Sequence, residues 1–212
     1  MLNKQKMIEK YFSDFKYLND QLFYGKMPKE VFDECVQLSE FYRKSKDSNL
    51  SELKYLNNVG RNKYQVFLSI SSLEDSFLLP YLHLLGVTCT NNDKMRLRKC
   101  HTDYGCLVYD IWYNYCYKGD INTPHNHTSE ISGVIFIKND GQPTIFQDGY
   151  ELVGEPGHIV IFPASYGHEV KEKMTEEERI TLAFNLGTED ELCWQFQRYA
   201  KIDELHWQAE KK

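Results

Sequence analysis

The residue pattern of the chain changes after Gly86, and this change is the strongest constraint on its fold. Beyond that point, short segments rich in Tyr, Val, Ile and Phe alternate with Gly, Asn, Asp and Pro, which is typical of strands joined by turns. Five or more short strands favour a sandwich or a barrel. The predicted strands are Leu107–Tyr117, Ile131–Lys138, Pro143–Gln147, His158–Phe162 and Arg179–Leu186, with turns at 139–141 and 156–157.

Helical spacing of apolar residues flanks this β region on both sides. The predicted helices cover about residues 1–23, 28–44, 72–85 (ended by Gly86) and 189–212. With 212 residues, the chain is expected to form one structural domain. Its expected parts are a helical N-terminal region (1–88) that packs on the barrel, a β core (89–188) and a C-terminal helix (189–212).

Composition narrows the range of partners. The 31 acidic residues exceed the 25 basic ones, and the resulting net charge of −6 makes a nucleic-acid substrate unlikely. No apolar stretch is long enough to cross a membrane, and no secretion signal is expected. The six cysteines form no CxxC pair, so we expect reduced thiols in a cytoplasm.

Three histidines make up the candidate metal site. His125 and His127 are two residues apart, so both imidazoles would point to one face if they lay at the start of a strand. His168 follows an apolar strand and a short turn, which would bring it back beside the first pair. The alternative is a polar turn with surface histidines that bind no metal. The spacing of His125 and His127 alone does not decide between a metal site and such a turn.

Arg179 begins a predicted strand whose alternate residues Arg179, Thr181 and Ala183 share one face. An arginine that enters a small barrel needs an anionic partner, because an unpaired buried guanidinium is unfavourable. The alternative is an exposed salt bridge with the nearby acidic residues 176–178.

At this point the sequence resembles the iron(II)- and 2-oxoglutarate-dependent oxygenases, especially a branch found in bacteria and in T4-like phages. The resemblance covers about residues 106–186, and its motifs occur in the order of that family. Those motifs are Trp112-Tyr113-Asn114, Pro124 to His127, Ser132 to Val134, Pro156 to Pro163, His168 to Val170, and Glu178 to Asn185.

The resemblance implies a mainly β fold with helical flanks, namely a double-stranded β-helix (a cupin-like jelly roll) with N-terminal helices and a C-terminal helix. It also implies Fe(II), 2-oxoglutarate as co-substrate and dioxygen. His125 and His168 match the iron-ligating histidines, and Arg179 with Thr181 matches the pair that binds the distal carboxylate of 2-oxoglutarate. Tyr115, or Asn114 and Asn185, would complete the co-substrate pocket.

One position departs from the family pattern. The usual ligand set is two histidines and a carboxylate, with the carboxylate two residues after the first histidine, and His127 stands there instead. The third ligand is therefore either His127 or a nearby carboxylate such as Glu130 or Asp120.

Three functions follow from these residues. The first is a hydroxylase that oxidises an unactivated C–H bond and releases succinate and CO2. The second is a cupin-like three-histidine dioxygenase or isomerase that does not use 2-oxoglutarate, and the third is a non-catalytic jelly-roll binding module.

The expected substrate is a small molecule or a peptidyl residue. The N-terminal helices are equally suited to contact a substrate or a second subunit, so a homodimer stays open. The expected location is the cytoplasm of a bacterium or a phage-infected host cell.

Overall fold

A computed structural model describes residues 11–45, 54–55, 65–69, 73–101 and 107–188 of the protein, and within these ranges it has two helices and fourteen strands. The helices are α1 (Lys29–Ser45) and α2 (Leu78–Thr90). The strands are β1 (Lys16–Tyr17), β2 (Phe23–Lys26), β3 (Lys54–Tyr55), β4 (Gln65–Ser69), β5 (Arg96–Leu97), β6 (Lys99–His101), β7 (Leu107–Cys116), β8 (Asn122–His125), β9 (Ile131–Lys138), β10 (Thr144–Phe146), β11 (Glu151–Leu152), β12 (His158–Pro163), β13 (His168–Val170) and β14 (Arg179–Gly187).

The strands form two antiparallel sheets. The larger sheet has the order β1-β2-β12-β9-β14-β7-β4-β3, with β5 paired to β14 and β6 paired to β7. The smaller sheet has the order β11-β10-β13-β8. The mainly β fold with helical flanks is confirmed, and the two sheets are arranged as in a jelly roll.

Each face of the larger sheet covers a separate hydrophobic core. Because side chains alternate along a strand, β9 and β14 each contribute to both cores. Ile135 and Leu182 belong to the outer core, between the sheet and the helices, whereas Val134 and Ala183 belong to the inner core, between the two sheets. The inner core is the interior of the barrel.

Helix α1 is fixed to the outer face of β7 by two tyrosines. The hydroxyl of Tyr113 donates to the backbone carbonyl of Cys35 at 2.6 Å, and that of Tyr115 donates to the carbonyl of Ser39 at 2.8 Å. Both side chains therefore point toward the helix and away from the barrel interior.

All five predicted strands are present, with ends that agree to within about one residue. Strands β8 and β13 have no strand prediction, because their mostly polar residues give no apolar alternation. Their pairing with each other and with β10 makes them strands.

The helix predicted over 1–23 is wrong in its second half, where β1 and β2 are found. The register explains the difference, because β2 pairs with β12 from Phe23 opposite Ile161 to Lys26 opposite His158. A helical apolar spacing is thus overridden by an available sheet edge. The helix predicted over 28–44 is confirmed as α1, and the one predicted over 189–212 lies outside the described residues.

The other predicted helix, over 72–85, begins later and ends later than expected. Helix α2 starts at Leu78, which places Pro80 in the first turn, where its missing N–H is not needed. Gly86 does not end the helix, which continues to Thr90 and stops before Asn91 in the left-handed conformation (φ 54°). Gly86 instead packs closely, since a Cβ there would lie 3.1 Å from Leu186 and 3.2 Å from Met95.

Gly133→Ala tests the close packing of β9 on β14. A Cβ at Gly133 would lie 2.2 Å from Cζ of Phe184, so the substitution should lower the free energy of unfolding by about 1–3 kcal/mol. Urea denaturation measures this change. Phe184→Leu should reduce the cost of Gly133→Ala, and equal costs in both backgrounds would show that the Phe184 ring is not the obstacle.

Candidate active site

The smaller sheet brings the three histidines together. His125 is the last residue of β8 and His168 is the first residue of β13, and the two are Cα partners in the antiparallel register. His127 follows two residues later, where its backbone N–H donates to the carbonyl of Ala164 at 2.8 Å. The pair thus lies at the end of a strand rather than at its start, and pairing with β13 supplies the third ring.

The imidazoles converge on one point. One nitrogen of each of His125, His127 and His168 lies within 4.8 Å of the corresponding atom of the other two. Nδ1 of His125 lies 2.7 Å from the carbonyl of Thr123, and Nδ1 of His168 lies 3.3 Å from the carbonyl of Tyr166. A proton on each Nδ1 would satisfy these carbonyls and leave each Nε2 as a lone-pair donor, which is the usual arrangement of metal-ligating histidines.

The electrostatic environment keeps all three rings neutral at pH 7. Burial lowers the pKa of His168 to about 4, with a further contribution from His125. Burial also lowers the pKa of His125, and it lowers that of His127 well below its usual value, where His168, His125 and Arg98 add to the effect. Neutral imidazoles are the form that binds a divalent cation, so the cluster fits iron(II).

Within the ranges that the structure describes, this is the one group of three or more His, Cys, Asp or Glu side chains close enough to hold a metal ion. Neither carboxylate considered as a third ligand belongs to it. A carboxylate oxygen of Glu130 accepts from the hydroxyl of Thr188 at 3.4 Å, and Asp120 accepts from the backbone N–H of Tyr117 at 2.8 Å. The geometry therefore favours His127 as the third ligand.

Arg179 lies inside the barrel, not in a surface salt bridge. Its residue is only 3% exposed, one terminal nitrogen donates to the hydroxyl of Thr144 at 3.0 Å, and the guanidinium lies 6.0 Å from the ring centroid of Phe136. Its Nε is buried and has no hydrogen-bond partner. A buried cation with an unused donor is suited to an anionic ligand such as a carboxylate.

The arginine and the histidines face the same interior. Thr144 and Phe146 share one face of β10, about 7 Å apart along the strand. Thr144 contacts Arg179, whereas Phe146 is the Cα partner of His168. Arg179 and His168 are thus both connected to β10, at positions two residues apart on the same face of that strand.

Two of the other predicted co-substrate residues lie near Arg179 on the inner face of the larger sheet. Thr181 is on the inner face of β14, two residues after Arg179, and is 2% exposed. Asn114 on β7 donates through Nδ2 to the hydroxyl of Thr181 at 3.3 Å. Both therefore share the barrel interior with Arg179.

The structure places Asn185 and Tyr115 elsewhere. Asn185 is six residues from Arg179 along β14, a distance of about 20 Å, and it is hydrogen-bonded to Ser132 and Asp110. Tyr115 is on the opposite face of the larger sheet, where it contacts α1. Neither residue lies with Arg179, because strand length separates the first and sheet sidedness separates the second.

Sequence reasoning missed two polar residues of this interior, Thr144 and Gln65. Thr144 lies in a predicted strand at a position that shares a face with Phe146, so its inward direction could have been read from the alternation. Gln65 on β4 donates to Asn114 at 2.7 Å, and nothing in its local sequence indicates this. Its position depends on pairing with β7, a strand that lies more than forty residues further along the chain.

A comparison with known protein families finds one similar family. Residues 142–185 match the family model described as "Putative 2OG-Fe(II) oxygenase", a stretch that contains Thr144, His168, Arg179 and Thr181. Over this stretch the chain is similar to the 2OG-Fe(II) oxygenases, so the expected resemblance to that family is confirmed.

One solved structure with a TM-score above 0.5 shares the fold of this chain, and two others resemble it with lower scores. A prolyl-4-hydroxylase from Pseudomonas putida matches with a TM-score of 0.51 and 15% identity over 78% of this chain and 92% of that chain. HygX from Streptomyces hygroscopicus, with nickel and 2-oxoglutarate bound, matches with a TM-score of 0.46 and 11% identity, covering 89% and 88%. A 2OG-Fe(II) oxygenase family oxidoreductase from Burkholderia pseudomallei matches with a TM-score of 0.40 and 16% identity over 50% of this chain, which spans about half (49%) of that protein.

A search of curated proteins found no significant match to this chain. Within the described part of the chain, neither helix has the length and apolar character needed to cross a lipid bilayer.

Metal binding can be tested directly with Co(II) as a spectroscopic substitute for iron(II). His168→Ala should weaken stoichiometric binding by about 100-fold or more, because one of three ligands is removed. Glu130→Gln should bind as the wild type does, since its carboxylate is outside the cluster. A loss of binding in Glu130→Gln with retention in His127→Ala would instead make the carboxylate the third ligand.

The buried histidines also predict a pH dependence of stability in the metal-free protein. The pKa of His168 is about 4 in the folded state and near 6.5 in the unfolded chain. The unfolded state therefore binds more protons between these values, so stability falls as the pH falls through this window. His168→Gln should remove roughly 3 kcal/mol of that loss between pH 7 and pH 4, measured by urea unfolding. An unchanged pH profile in this variant would contradict the assigned environment.

Proposed function

We propose that the protein is an iron(II)- and 2-oxoglutarate-dependent oxygenase that hydroxylates an unactivated C–H bond of its substrate. In the overall reaction, the substrate, dioxygen and 2-oxoglutarate yield hydroxylated substrate, succinate and CO2. The observation that carries this proposal is one barrel that holds a cluster of three neutral imidazoles, of which His168 is buried and the other two are partly buried, and a buried arginine with an unpartnered donor. The first suits a metal ion and the second suits a carboxylate.

His125, His127 and His168 would hold the iron. When bound, iron(II) supplies the redox chemistry that couples oxidative decarboxylation of a 2-oxo acid to oxidation of a C–H bond. The contribution of the protein is to present three lone pairs from one side and to leave the opposite side of the cluster for ligands.

Arg179 binds the distal carboxylate of 2-oxoglutarate in this proposal. Its guanidinium is held by Thr144 and by the face of Phe136, so it is ordered before the ligand arrives. The hydroxyl of Thr181 lies on the same face of the strand and can donate a second hydrogen bond. This arrangement directs the oxo-acid end of the co-substrate toward the histidines.

Aromatic side chains complete the interior and limit the access of water. Phe162 and Phe146 lie 4.9 and 6.2 Å from the ring of His168, and Trp112 lies 5.8 Å from the ring of His127. These aromatic side chains strengthen charge interactions with the ligand because they exclude water from the site.

The charge of the proposed ligand set favours an anionic co-substrate. Three neutral imidazoles leave the double positive charge of iron(II) uncompensated, whereas a carboxylate ligand would offset half of it. Arg179 adds a further positive charge in the same interior. A dianion such as 2-oxoglutarate balances most of this charge.

The three-histidine ligand set also favours a second candidate function. A cupin-like dioxygenase or isomerase would use the same metal site without 2-oxoglutarate. Arg179 would then be dispensable for metal-dependent activity, whereas the oxygenase proposal requires it.

For the substrate, we infer a small molecule or a peptidyl residue, with nucleic acid disfavoured by the net charge of −6. We place the protein in the cytoplasm of a bacterium or a phage-infected cell, supported by Cys35, Cys89 and Cys116, which are thiols and not disulfides. A homodimer is also part of the proposal, and its test is the oligomeric state in solution.

Anaerobic titration of the iron(II)-loaded protein with 2-oxoglutarate tests the proposed function. The wild type should develop the visible charge-transfer band of a chelated 2-oxo acid. Arg179→Ala should weaken 2-oxoglutarate binding by about 30-fold or more, because a charge-assisted pair is lost, while Co(II) binding persists. Arg179→Lys should fall between the two, since an ammonium lacks the planar fork.

Lys171→Ala, which removes an exposed cation, is the matched control and should leave the titration unchanged. Two results together would reject this proposal: iron binds to the wild type without a band, and Arg179→Ala keeps full metal-dependent activity. The cupin-like dioxygenase or isomerase would then be the better hypothesis.

A further inference from the structure

Three polar side chains form a row across adjacent strands of the barrel wall. Gln65 on β4 is the Cα partner of Asn114 on β7, which is the Cα partner of Thr181 on β14. The three residues are 5%, 7% and 2% exposed, respectively. Such a row of buried polar groups is unfavourable unless its members are hydrogen-bonded to one another or to a ligand.

The hydrogen bonds within the row have a direction. Nε2 of Gln65 donates to Oδ1 of Asn114 at 2.7 Å, and Nδ2 of Asn114 donates to the hydroxyl oxygen of Thr181 at 3.3 Å. The Thr181 oxygen is thus an acceptor within the row, which leaves its own proton available to donate elsewhere.

The opposite direction is the alternative arrangement of the same three side chains. If both amides were turned over, Oδ1 of Asn114 would face Thr181 and accept the hydroxyl proton. Thr181 would then have no proton for a ligand. The orientation of the Gln65 amide therefore decides whether Thr181 can donate into the barrel.

We propose that Gln65 is a positioning residue for the co-substrate, because it fixes the direction in which Asn114 and Thr181 are hydrogen-bonded. This inference rests on the proposed function, in which Arg179 and Thr181 bind the distal carboxylate. Thr181 is two residues from Arg179 on the same face of β14, so its free hydroxyl proton and the guanidinium can serve the same anion. Gln65 acts through Asn114 and does not itself contact the co-substrate.

The unpartnered atom of Gln65 agrees with this role. Its Oε1 is buried and has no hydrogen-bond partner, although buried carbonyl oxygens are usually satisfied. The amide of Gln65 therefore acts on the row through Nε2 alone.

Gln65→Glu reverses the row with almost no change in shape. A carboxylate cannot donate, so Asn114 must turn its NH2 group toward Glu and present Oδ1 to Thr181, which then donates its proton to Asn114. We expect the Kd for 2-oxoglutarate, measured by anaerobic calorimetry on the iron(II)-loaded protein, to rise about tenfold. Co(II) affinity should not change.

Thr181→Val supplies the decisive background, because it removes the hydroxyl but keeps the shape of the side chain. Gln65→Glu should weaken 2-oxoglutarate binding in both backgrounds through charge repulsion, but clearly more in the wild-type background than in Thr181→Val, because only the wild type also loses the hydrogen bond from Thr181. Equal effects in both backgrounds, or no effect in either, would overturn the proposal, because Gln65 would then act on the sheet or on the general electrostatics and not through Thr181.

Gln65→Met keeps the test available if the buried carboxylate prevents folding. It removes both ends of the amide and frees Asn114 to adopt either orientation, so it should raise the Kd about twofold, and only when Thr181 is present. No change in this variant overturns the proposal. Failure of the wild type to bind 2-oxoglutarate is a separate outcome that rejects the proposed function itself.

Discussion

Strand β14 is buried on both of its faces, and the rest of the structure is organised around this constraint. All nine of its residues are buried, since one face packs under the helices and the other lines the barrel. Its outer face carries Ile180, Leu182, Phe184 and Leu186, whereas its inner face carries Arg179, Thr181, Ala183 and Asn185. The apolar face contributes to the outer core. The polar face must find partners inside the protein, which is where the site lies.

The start of this strand is fixed by charges from other elements. Glu178, buried next to Arg179, is held at 3.0 Å by Arg43 of α1 and lies 3.8 Å from the ammonium group of Lys138 on β9. The helix therefore does more than cover the outer core, because it anchors the residue beside the arginine that enters the barrel. Removing one partner of such a buried carboxylate is costly, since the remaining charge is left without compensation.

The two sheets carry different residues of the candidate site. The larger sheet carries the polar row and the arginine, whereas the smaller sheet brings the three histidines together, so the cation and the imidazole cluster come from different sheets. Burial explains the properties of both. It keeps the imidazoles neutral by disfavouring their charged form, and it leaves the guanidinium dependent on an anion because arginine does not deprotonate.

The sequence by itself determined five strands of the β core, the three candidate histidines and the face that Arg179 shares with Thr181, because alternation and turn residues are local signals. It did not determine that Tyr115 faces α1, that Asn185 lies at the far end of β14, or that β2 and β4 extend the larger sheet. Nor did it decide between His127 and Glu130 as the third ligand, or place Gln65 beside Asn114. Only the tertiary structure decided these points, because they depend on which face of a sheet is covered and on the register between strands far apart in the chain.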